Sequence, residues 1–152
     1  MSGLNVITVQ DNIEAYINAQ FPNYVVYDTD VPDDDSIIKV GNKIKPYIVL
    51  QWGALNSAPN AGSFIGARFD EYYSTVDVAI VAPTARQARV SLNIIVDRLI
   101  GWKPTGSSHL SSDGGMGIVP IVNRNGKPNI YIASSRLKYA INADNVGSYI
   151  TP

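Results

Sequence analysis

The chain has 152 residues, which is enough for one domain of ordinary size and too few for two comfortable ones. Charged residues make up only 16%, against roughly 25% in typical soluble domains, and twelve basic against thirteen acidic side chains leave a formal net charge of -1. The composition is too apolar for a disordered chain, and its charge is too balanced for a protein that neutralises many phosphates. The absence of cysteine excludes disulfide scaffolds, thiol nucleophiles and cysteine-ligated zinc.

Neither a signal peptide nor a membrane span is indicated by the sequence. The N-terminal residues lack a basic stretch followed by a long apolar run, and no apolar stretch approaches the ~18 residues of a span. We therefore expect no membrane partner and a chain that is made and used in a cytoplasm. Residues 53–67 and 104–112 carry no Asp, Glu, Lys or Arg, which suggests surface reserved for other subunits.

The first predicted element is a helix from about Thr8 to Phe21. Apolar residues recur there at three- and four-residue steps, at Val9, Ile13, Tyr16, Ile17 and Phe21. Thr8 is a candidate N-cap, while Asp11 and Glu14 suit the positive end of the helix dipole. Pro22 disfavours helical geometry at the preceding residue, so the helix is expected to end at Phe21.

Three strands are predicted next. Tyr24–Tyr27 reads as a short strand, and Pro46–Trp52 is apolar on both faces and therefore central in a sheet. After a long flexible excursion over residues 53–68, the strand from about Tyr72 to Ala82 alternates its side chains. One face carries Val76, Val78 and Ile80, and the other carries Thr75, Asp77, Ala79 and Val81. Asp77 in mid-strand indicates that the second face is only partly buried.

A second helix, from Thr84 to Ile100, has clear start and stop signals. Thr84 and Gln87 form a capping-box signature directly after a proline. An apolar stripe follows at Ala85, Ala88, Leu92, Ile95, Val96 and Leu99. Gly101 suits a left-handed C-terminal cap, and Trp102 follows where such caps take a hydrophobic contact.

The C-terminal third predicts a hairpin. After a second long loop over Pro104–Gly117, strands are expected at Ile118–Asn123 and about Asn129–Tyr139, joined by a tight turn at Asn125-Gly126. Because only one helix separates the two strand groups, the fold class is α+β: a mostly antiparallel sheet with two helices packed on one face. Residues 1–142 form a single domain in this interpretation, and residues 143–152 form a C-terminal tail or arm.

Three groups of residues could form a chemical site, but for each of them an ordinary structural role is the favoured interpretation. Asp28, Asp30 and Asp33 offer hard oxygen ligands, but the spacing does not fit an EF-hand, so we favour a solvated acidic loop. The single histidine, His109, has serines and Asp113 as sequence neighbours, whereas a triad needs three groups that the fold brings together. The glycines at 114, 115 and 117 precede a strand and lack the lysine of a phosphate loop. We therefore expect no catalytic residue, metal site or cofactor.

The remaining candidates are residues for contacts between subunits. Tyrosines are enriched at interfaces because they bury area while keeping a polar end, although ordinary core filling explains them equally well. Small basic patches lie on the second helix and on the last strand, and neither predicts tight nucleic-acid binding. The candidate interface residues are Arg68, Tyr72, Tyr73, Arg86, Arg89, Trp102, His109, Arg136 and Tyr149.

The order of these elements resembles the tail terminator (tail-completion) proteins of long-tailed bacteriophages. The resemblance covers residues 8–142: the first helix, the strands Pro46–Trp52 and Ser74–Ala82, the helix Thr84–Ile100 and the hairpin around Asn125-Gly126. The junction of strand and helix, Val78–Arg86, is its most characteristic piece. No functional residue is carried over, because the family has no catalytic signature to match.

The resemblance implies a structural virion protein without enzymatic activity. Such a protein forms a homo-oligomeric ring, commonly a hexamer, that docks on the tail tube protein, stops tube polymerisation and presents a surface to the head-side connector protein. It would be assembled in the host cytoplasm, reside in the virion tail, and let DNA pass its lumen without specific binding. A head-tail connector, a tail tube protein, a binding module with ligand loops at 53–68 and 104–117, and a small hydrolase are the alternatives.

Overall fold

The protein is an α+β fold of two helices and a mostly antiparallel sheet, as the sequence predicts. The computed structural model describes residues 6–31, 37, 39–41, 43–59, 70–122 and 127–141. In chain order the elements are α1 (Val6–Gln20), β1 (Val25–Asp28), β2 (Lys39–Val40), β3 (Lys43–Ile44), β4 (Tyr47–Trp52), β5 (Asn56–Pro59), β6 (Asp70–Ala82), α2 (Ala85–Leu99), β7 (Ser111–Ile121) and β8 (Ile130–Ile141).

The main sheet has the strand order β1-β4-β6-β8-β7, and β5 pairs with the part of β6 that extends beyond β4. Every pair is antiparallel except β1 with β4. β4 therefore has a neighbour on each side, which confirms the central position predicted for Pro46–Trp52. β2 and β3 form a separate two-stranded ribbon that the sequence analysis did not predict.

Both helices pack on one face of the sheet, which we call the helix face. Its core combines the buried members of the predicted stripes of α1 and α2 with alternate residues of β4, β6 and β8; Tyr16 and Leu92 from those stripes are half-buried and pack against it. Its buried members are Val9, Ile13, Ile17, Phe21, Ile48, Leu50, Val76, Val78, Ile80, Ala82, Ala88, Ile95, Leu99, Leu110, Ala133, Leu137, Tyr139 and Ile141. The 3.6-residue period of the helices and the 2-residue period of the strands thus meet in one apolar layer.

The opposite face, which we call the open face, carries a smaller apolar cluster and no helix among the described residues. Ile37 and Ile44, from the region of the β2–β3 ribbon, lie there with Tyr47, Val49, Val81 and Ile130. Val81 is buried, but Thr75, Asp77 and Ala79 on the same side of β6 are half-buried. The partial burial predicted from Asp77 is confirmed.

Helix α1 begins earlier than predicted. It starts at Val6, so Thr8 lies inside the first turn and is not the N-cap. The half-buried Val6 continues the apolar spacing to Val9, which extends the helix backwards along the same face. At the other end the amide of Phe21 still donates a helical hydrogen bond to Ile17 O at 2.9 Å, and Pro22 prevents continuation.

Helix α2 matches its prediction at both ends. Thr84 Oγ1 accepts a hydrogen bond from the Gln87 amide at 3.1 Å, which confirms the N-cap. Gly101 has a φ of +88°, the left-handed conformation expected of the residue after the helix. The Trp102 amide donates to Leu99 O at 3.1 Å, so the chain turns back against the helix end.

Two predicted loops contain strands, which corrects the sequence analysis. Within residues 53–68, Asn56–Pro59 pairs with the start of β6, which begins at Asp70 instead of Tyr72. Within Pro104–Gly117, β7 begins at Ser111, seven residues before the predicted Ile118. Glycines without side chains hide the alternation that marks a strand, and the β7–β8 register shifts twice along this stretch, between Ser112 and Gly115 and between Met116 and Val119.

One of those glycines is required by a close approach of two backbones. A Cβ added to Gly115 would lie 2.5 Å from Ser134 O and 2.9 Å from the Cα of Ser135.

The predicted Asn125-Gly126 turn lies outside the described residues, although β7 and β8 pair antiparallel as a hairpin requires. The tail over residues 143–152 also lies outside them, so the domain boundary stays a prediction. No helix in the described part of the chain is long and apolar enough to cross a membrane.

Candidate interaction surfaces

The residues considered for a catalytic triad point to different places. His109 is exposed, and its neighbour Ser108 is bound by the backbone: Ser108 Oγ accepts from the Ala140 amide at 2.8 Å and donates to His109 O at 3.3 Å. Asp113 lies close enough to Arg136 on β8 to help raise the pKa of that guanidinium. The described geometry therefore does not bring a serine, the imidazole and a carboxylate together in the arrangement that a triad needs.

The acidic stretch after β1 is partly used in structural hydrogen bonds. Asp28 Oδ1 accepts from the indole Nε1 of Trp52 at 2.7 Å and from Thr29 Oγ1 at 3.3 Å. Asp33, like Asp34 and Asp35, lies outside the described residues. Within the described ranges, no three His, Asp or Glu side chains are grouped as a metal site. Asp28 thus links the end of β1 to the end of β4.

The open face contains a groove of about 510 Å³. Its floor is formed by side chains of β4, β6 and β8 that point away from the helices, and charged residues lie at one end. The lining includes Tyr47, Val49, Ala79, Val81, Ile132, Asp77, Asp113 and Arg136. An apolar floor with a few charged groups is the usual character of a binding or docking surface.

An ion pair crosses this face between β6 and β8. Arg136 Nε lies 2.8 Å from Asp77 Oδ1, and Arg136 Nη2 lies 3.3 Å from Asp77 Oδ2, which is a bidentate arrangement. The hydrogen bond and charge of Asp77 raise the pKa of Arg136 above its ordinary value. The two residues occupy opposing positions in the strand register, so the sheet itself brings them together.

The adjacent tyrosines near the start of β6 face opposite sides of the sheet. Tyr72 packs against the core of the helix face, whereas the ring of Tyr73 has Lys138 Nζ 4.4 Å from its centroid. That distance permits a cation–π contact on the same side as the Arg136 ion pair. Tyr72 is half-buried against the core and Tyr73 is half-buried on the open face, and the interface role of each stays a prediction.

Trp102 is engaged within the chain. Its ring stacks on Tyr16 with centroids 3.8 Å apart and planes 10° from parallel. The Tyr16 hydroxyl donates to Arg98 O at 3.5 Å, so the same side of α1 also contacts the end of α2. Trp102 joins the two helices, and its predicted contact with another subunit stays a prediction.

The outer sides of both helices carry charges that have no partner within the described ranges. Arg86 and Arg89 are exposed on α2 beside Val90, which is 43% exposed. On α1, Asp11 is exposed and Glu14 is half-buried. Burial, then the charges of Asp28 and Asp11, raises the pKa of Glu14 above its ordinary value, which places three carboxylates near one another.

One polar atom inside the helix face has no hydrogen-bond partner among the described atoms. Tyr139 is 1% exposed, and its hydroxyl oxygen is fully enclosed. Burial raises the pKa of Tyr139; the nearby Ser74 and Gln10 oppose that shift without reaching hydrogen-bond geometry with the phenol oxygen. The Ser74 hydroxyl instead donates to Gly53 O at 3.0 Å and Ala54 O at 3.1 Å.

Sequence reasoning found some of these surface residues and missed others. It named Arg86, Arg89, Tyr73 and Arg136, all of which are exposed or half-buried. Arg68 and Tyr149 lie outside the described residues. It noted Asp77 without pairing it to Arg136, because the pairing depends on strand register. It also missed the exposed Ile7 and Val90, which lie off the apolar stripes and could have been found as apolar residues on the polar sides of the helices.

Comparison with known proteins gives a match in fold only. No family model matches the chain, and no curated protein matches it. A chain from a solved structure described as the virion of a native gene transfer agent particle is similar, with a TM-score of 0.51 and 13% sequence identity. The match covers 88% of this chain and 92% of that chain. The similarity therefore extends over nearly the whole of both folds.

Proposed function

We propose that this chain is a structural protein of a phage-like virion that forms a ring, commonly a hexamer, on the end of the tail tube. In this role it stops the addition of tube subunits and presents the surface on which the head-side connector docks. The protein is not an enzyme in this proposal. It is assembled in the host cytoplasm and resides in the virion tail, and DNA passes its lumen without specific binding.

The observation that carries the proposal is the fold shared with a chain of a virion particle over 88% of this chain. The resemblance of the sequence to tail terminator proteins is an independent reason for the same assignment. The arrangement of the surface supports it as well, because both helices expose apolar side chains and charged side chains that have no ion-pair partner in the described ranges. Ring interfaces are heterologous, and such contacts need two different patches on one subunit.

The mechanism follows from complementarity of surfaces. A tube grows because each subunit layer presents the docking surface for the next layer. A ring that binds the last layer and offers a different outer surface ends that growth. Charge-poor stretches such as residues 53–67 and 104–112 suit this task, because burying unpaired charges at an interface is costly.

The first experiment measures the assembly state. The purified chain is analysed by light scattering and negative-stain imaging over a range of concentrations. Closed rings of uniform size support the proposal, whereas open tubes formed by this chain alone would favour a tube subunit. Because some rings assemble only on their tube, the same measurement is repeated with polymerising tail tubes present.

The second experiment measures the effect on tube length. Adding the chain to polymerising tail tubes is expected to shorten them or fix their length, with protein visible at one end. The matched control is the same chain after heat denaturation, which should leave the length distribution unchanged. Tubes of unchanged length, together with a chain that stays monomeric in their presence, would overturn the proposal.

A further inference from the structure

Two rows of side chains, all exposed except the half-buried Glu14, lie on opposite flanks of the helical layer. The acidic row is Ile7, Asp11 and Glu14 on α1, and the basic row is Arg86, Arg89 and Val90 on α2. Each row combines two charges of one sign with an exposed apolar residue; Ile7 is 62% exposed and Val90 is 43% exposed. Positions three and four residues apart share one side of a helix, so each row is a continuous surface.

The positions of the helices place these rows on the two outer flanks. α1 contacts β1 at one edge of the sheet, and α2 contacts β6, β8 and the opposite edge strand β7. Between the helices, Tyr24 Oη lies 3.0 Å from Ser91 Oγ and the ring of Tyr16 stacks on Trp102. At 3.6 residues per turn, Arg89 lies about 160° around α2 from Ser91, and Glu14 lies about 160° around α1 from Tyr16. Both rows therefore face away from the partner helix.

The charges in both rows have no ion-pair partner in the part of the chain that the structure describes. Across the described ranges, Arg86 and Arg89 form no ion pair with a carboxylate, and Asp11 and Glu14 form none with a cation, whereas the Arg136 guanidinium is paired. The acidic row is strengthened by Asp28 on the edge strand, whose charge acts on Glu14. The two rows cannot contact each other within one subunit, because they face away from each other. The acidic row of one copy and the basic row of another copy are electrostatically complementary.

We propose that the acidic row of one subunit docks on the basic row of the next copy of this chain, head to tail. This inference rests on the proposed ring, and it specifies which two surfaces meet there. The contact is heterologous, so it repeats around a closed ring with every row occupied. The exposed Ile7 and Val90 supply apolar area beside the charges, and the charges fix orientation and register.

A charge-swap experiment tests the pairing directly. In the first variant, Arg86→Glu and Arg89→Glu make the basic row acidic; in the second, Asp11→Lys and Glu14→Lys make the acidic row basic. Each variant alone then opposes like charges at every contact, so the concentration needed for half-assembly should rise roughly tenfold or more. In an equimolar mixture, alternating subunits restore opposite charges at every contact, and rings containing both variants in equal amounts should form.

The matched control places the same change of charge elsewhere. Lys39→Glu with Lys43→Glu reverses two exposed lysines of the β2–β3 ribbon and should leave assembly as in the wild type. Circular dichroism and thermal melting check that each variant is folded. If a reversal variant does not fold, the neutral pairs Arg86→Gln with Arg89→Gln and Asp11→Asn with Glu14→Gln replace the two reversals, and each should weaken assembly by a smaller factor.

The outcomes distinguish a failure of the proposed pairing from a failure of the proposed ring. Wild-type rings, together with reversal variants that assemble normally or with a mixture that stays unassembled, would overturn the pairing and leave the proposed ring intact. A wild-type chain that is monomeric both in solution and on tail tubes would overturn both. Rings that are lost in each variant and recovered in the mixture would support the pairing.

Discussion

The two faces of the sheet differ in how they are covered. The helix face is closed by α1 and α2 over a layer of fully buried residues such as Ile80 and Leu137. The open face has a smaller apolar cluster, a groove, and the exposed ion pair of Asp77 with Arg136. One face therefore carries the larger core, and the other combines a smaller core with half-buried and polar side chains. The contrast teaches that side chains of the same strand enter different surroundings according to whether their position is odd or even.

The largest difference between the faces should appear when a β8 side chain is truncated. Leu137→Ala removes a fully buried side chain from the helix face and should lower the free energy of unfolding by about 2–5 kcal/mol. Ile132→Ala, at a half-buried position on the open face, should cost less, because part of that side chain already contacts solvent. Urea denaturation of both variants measures the difference. Equal losses would mean that the open face is as tightly packed as the helix face.

The next largest effect concerns the glycines of β7. Gly115→Ala places a methyl group against backbone atoms of Ser134 and Ser135, so β7 and β8 must separate, at a cost of about 1–3 kcal/mol. Gly117→Ala, two residues further along the same strand, meets nothing within 4 Å and should change stability by less than about 0.5 kcal/mol. Thermal unfolding distinguishes the two variants. A normal Gly115→Ala protein would show that the β7–β8 pairing is looser than described.

A smaller effect of opposite sign is expected inside the helix face. Tyr139→Phe removes a buried hydroxyl that lacks a partner in the described structure, and should stabilise the protein by up to about 1 kcal/mol. Tyr24→Phe removes a hydroxyl that is hydrogen-bonded to Ser91 Oγ at 3.0 Å, and should destabilise it by about 1 kcal/mol. Denaturant midpoints of the two variants are therefore expected to move in opposite directions from the wild type.

Tyr139 also makes the stability of the protein depend on pH, and the direction of that dependence follows from its burial. Burial raises the folded-state pKa of Tyr139 above its ordinary value of 10.0. Above that pH the unfolded chain releases the phenol proton first, so the stability of the wild type should fall as the pH rises. Tyr139→Phe should show a smaller fall. Identical slopes for wild type and variant above pH 10 would contradict the burial of the phenol.

The smallest effect is expected for the ion pair on the open face. Side chains of Asp77 and Arg136 are 32% and 51% exposed, so solvent screens their attraction. A double-mutant cycle with Asp77→Asn and Arg136→Gln measures their coupling energy, which should be smaller than the loss in Leu137→Ala and should vanish at about 1 M salt. A coupling that survives high salt would place the pair in a drier environment than the open face provides.

The parts of the fold that were predicted correctly depend on local signals. Both ends of α2 are set by Thr84 and Gly101, whose roles depend only on their immediate neighbours. Pro46–Trp52 was identified because its continuous apolar run needs cover on both faces. The two faces of β6 were separated correctly because adjacent residues of a strand alternate, with Val76 on one face and Asp77 on the other.

The parts that were not predicted depend on distant residues. β5 exists because Asn56–Pro59 finds a partner in the start of β6, a pairing that its own composition does not indicate. The early start of β7 was hidden because glycines carry no alternating side chains. Asp77 and Arg136 are 59 residues apart in sequence, and their pairing depends on the register between β6 and β8. Long-range pairing of this kind cannot be read from local periodicity.

The length of β6 has a mechanical consequence. Its 13 residues span about 43 Å as one unbroken strand, with β4 paired along the second half and β5 along the first. Near the change of partner, the Gly53 amide donates to Thr75 O at 2.8 Å, which ties the departing chain to β6. One continuous strand therefore joins the β5 end to the buried Val76 and Val78. A contact made at that end would bear on a strand that also supplies the core of the same subunit.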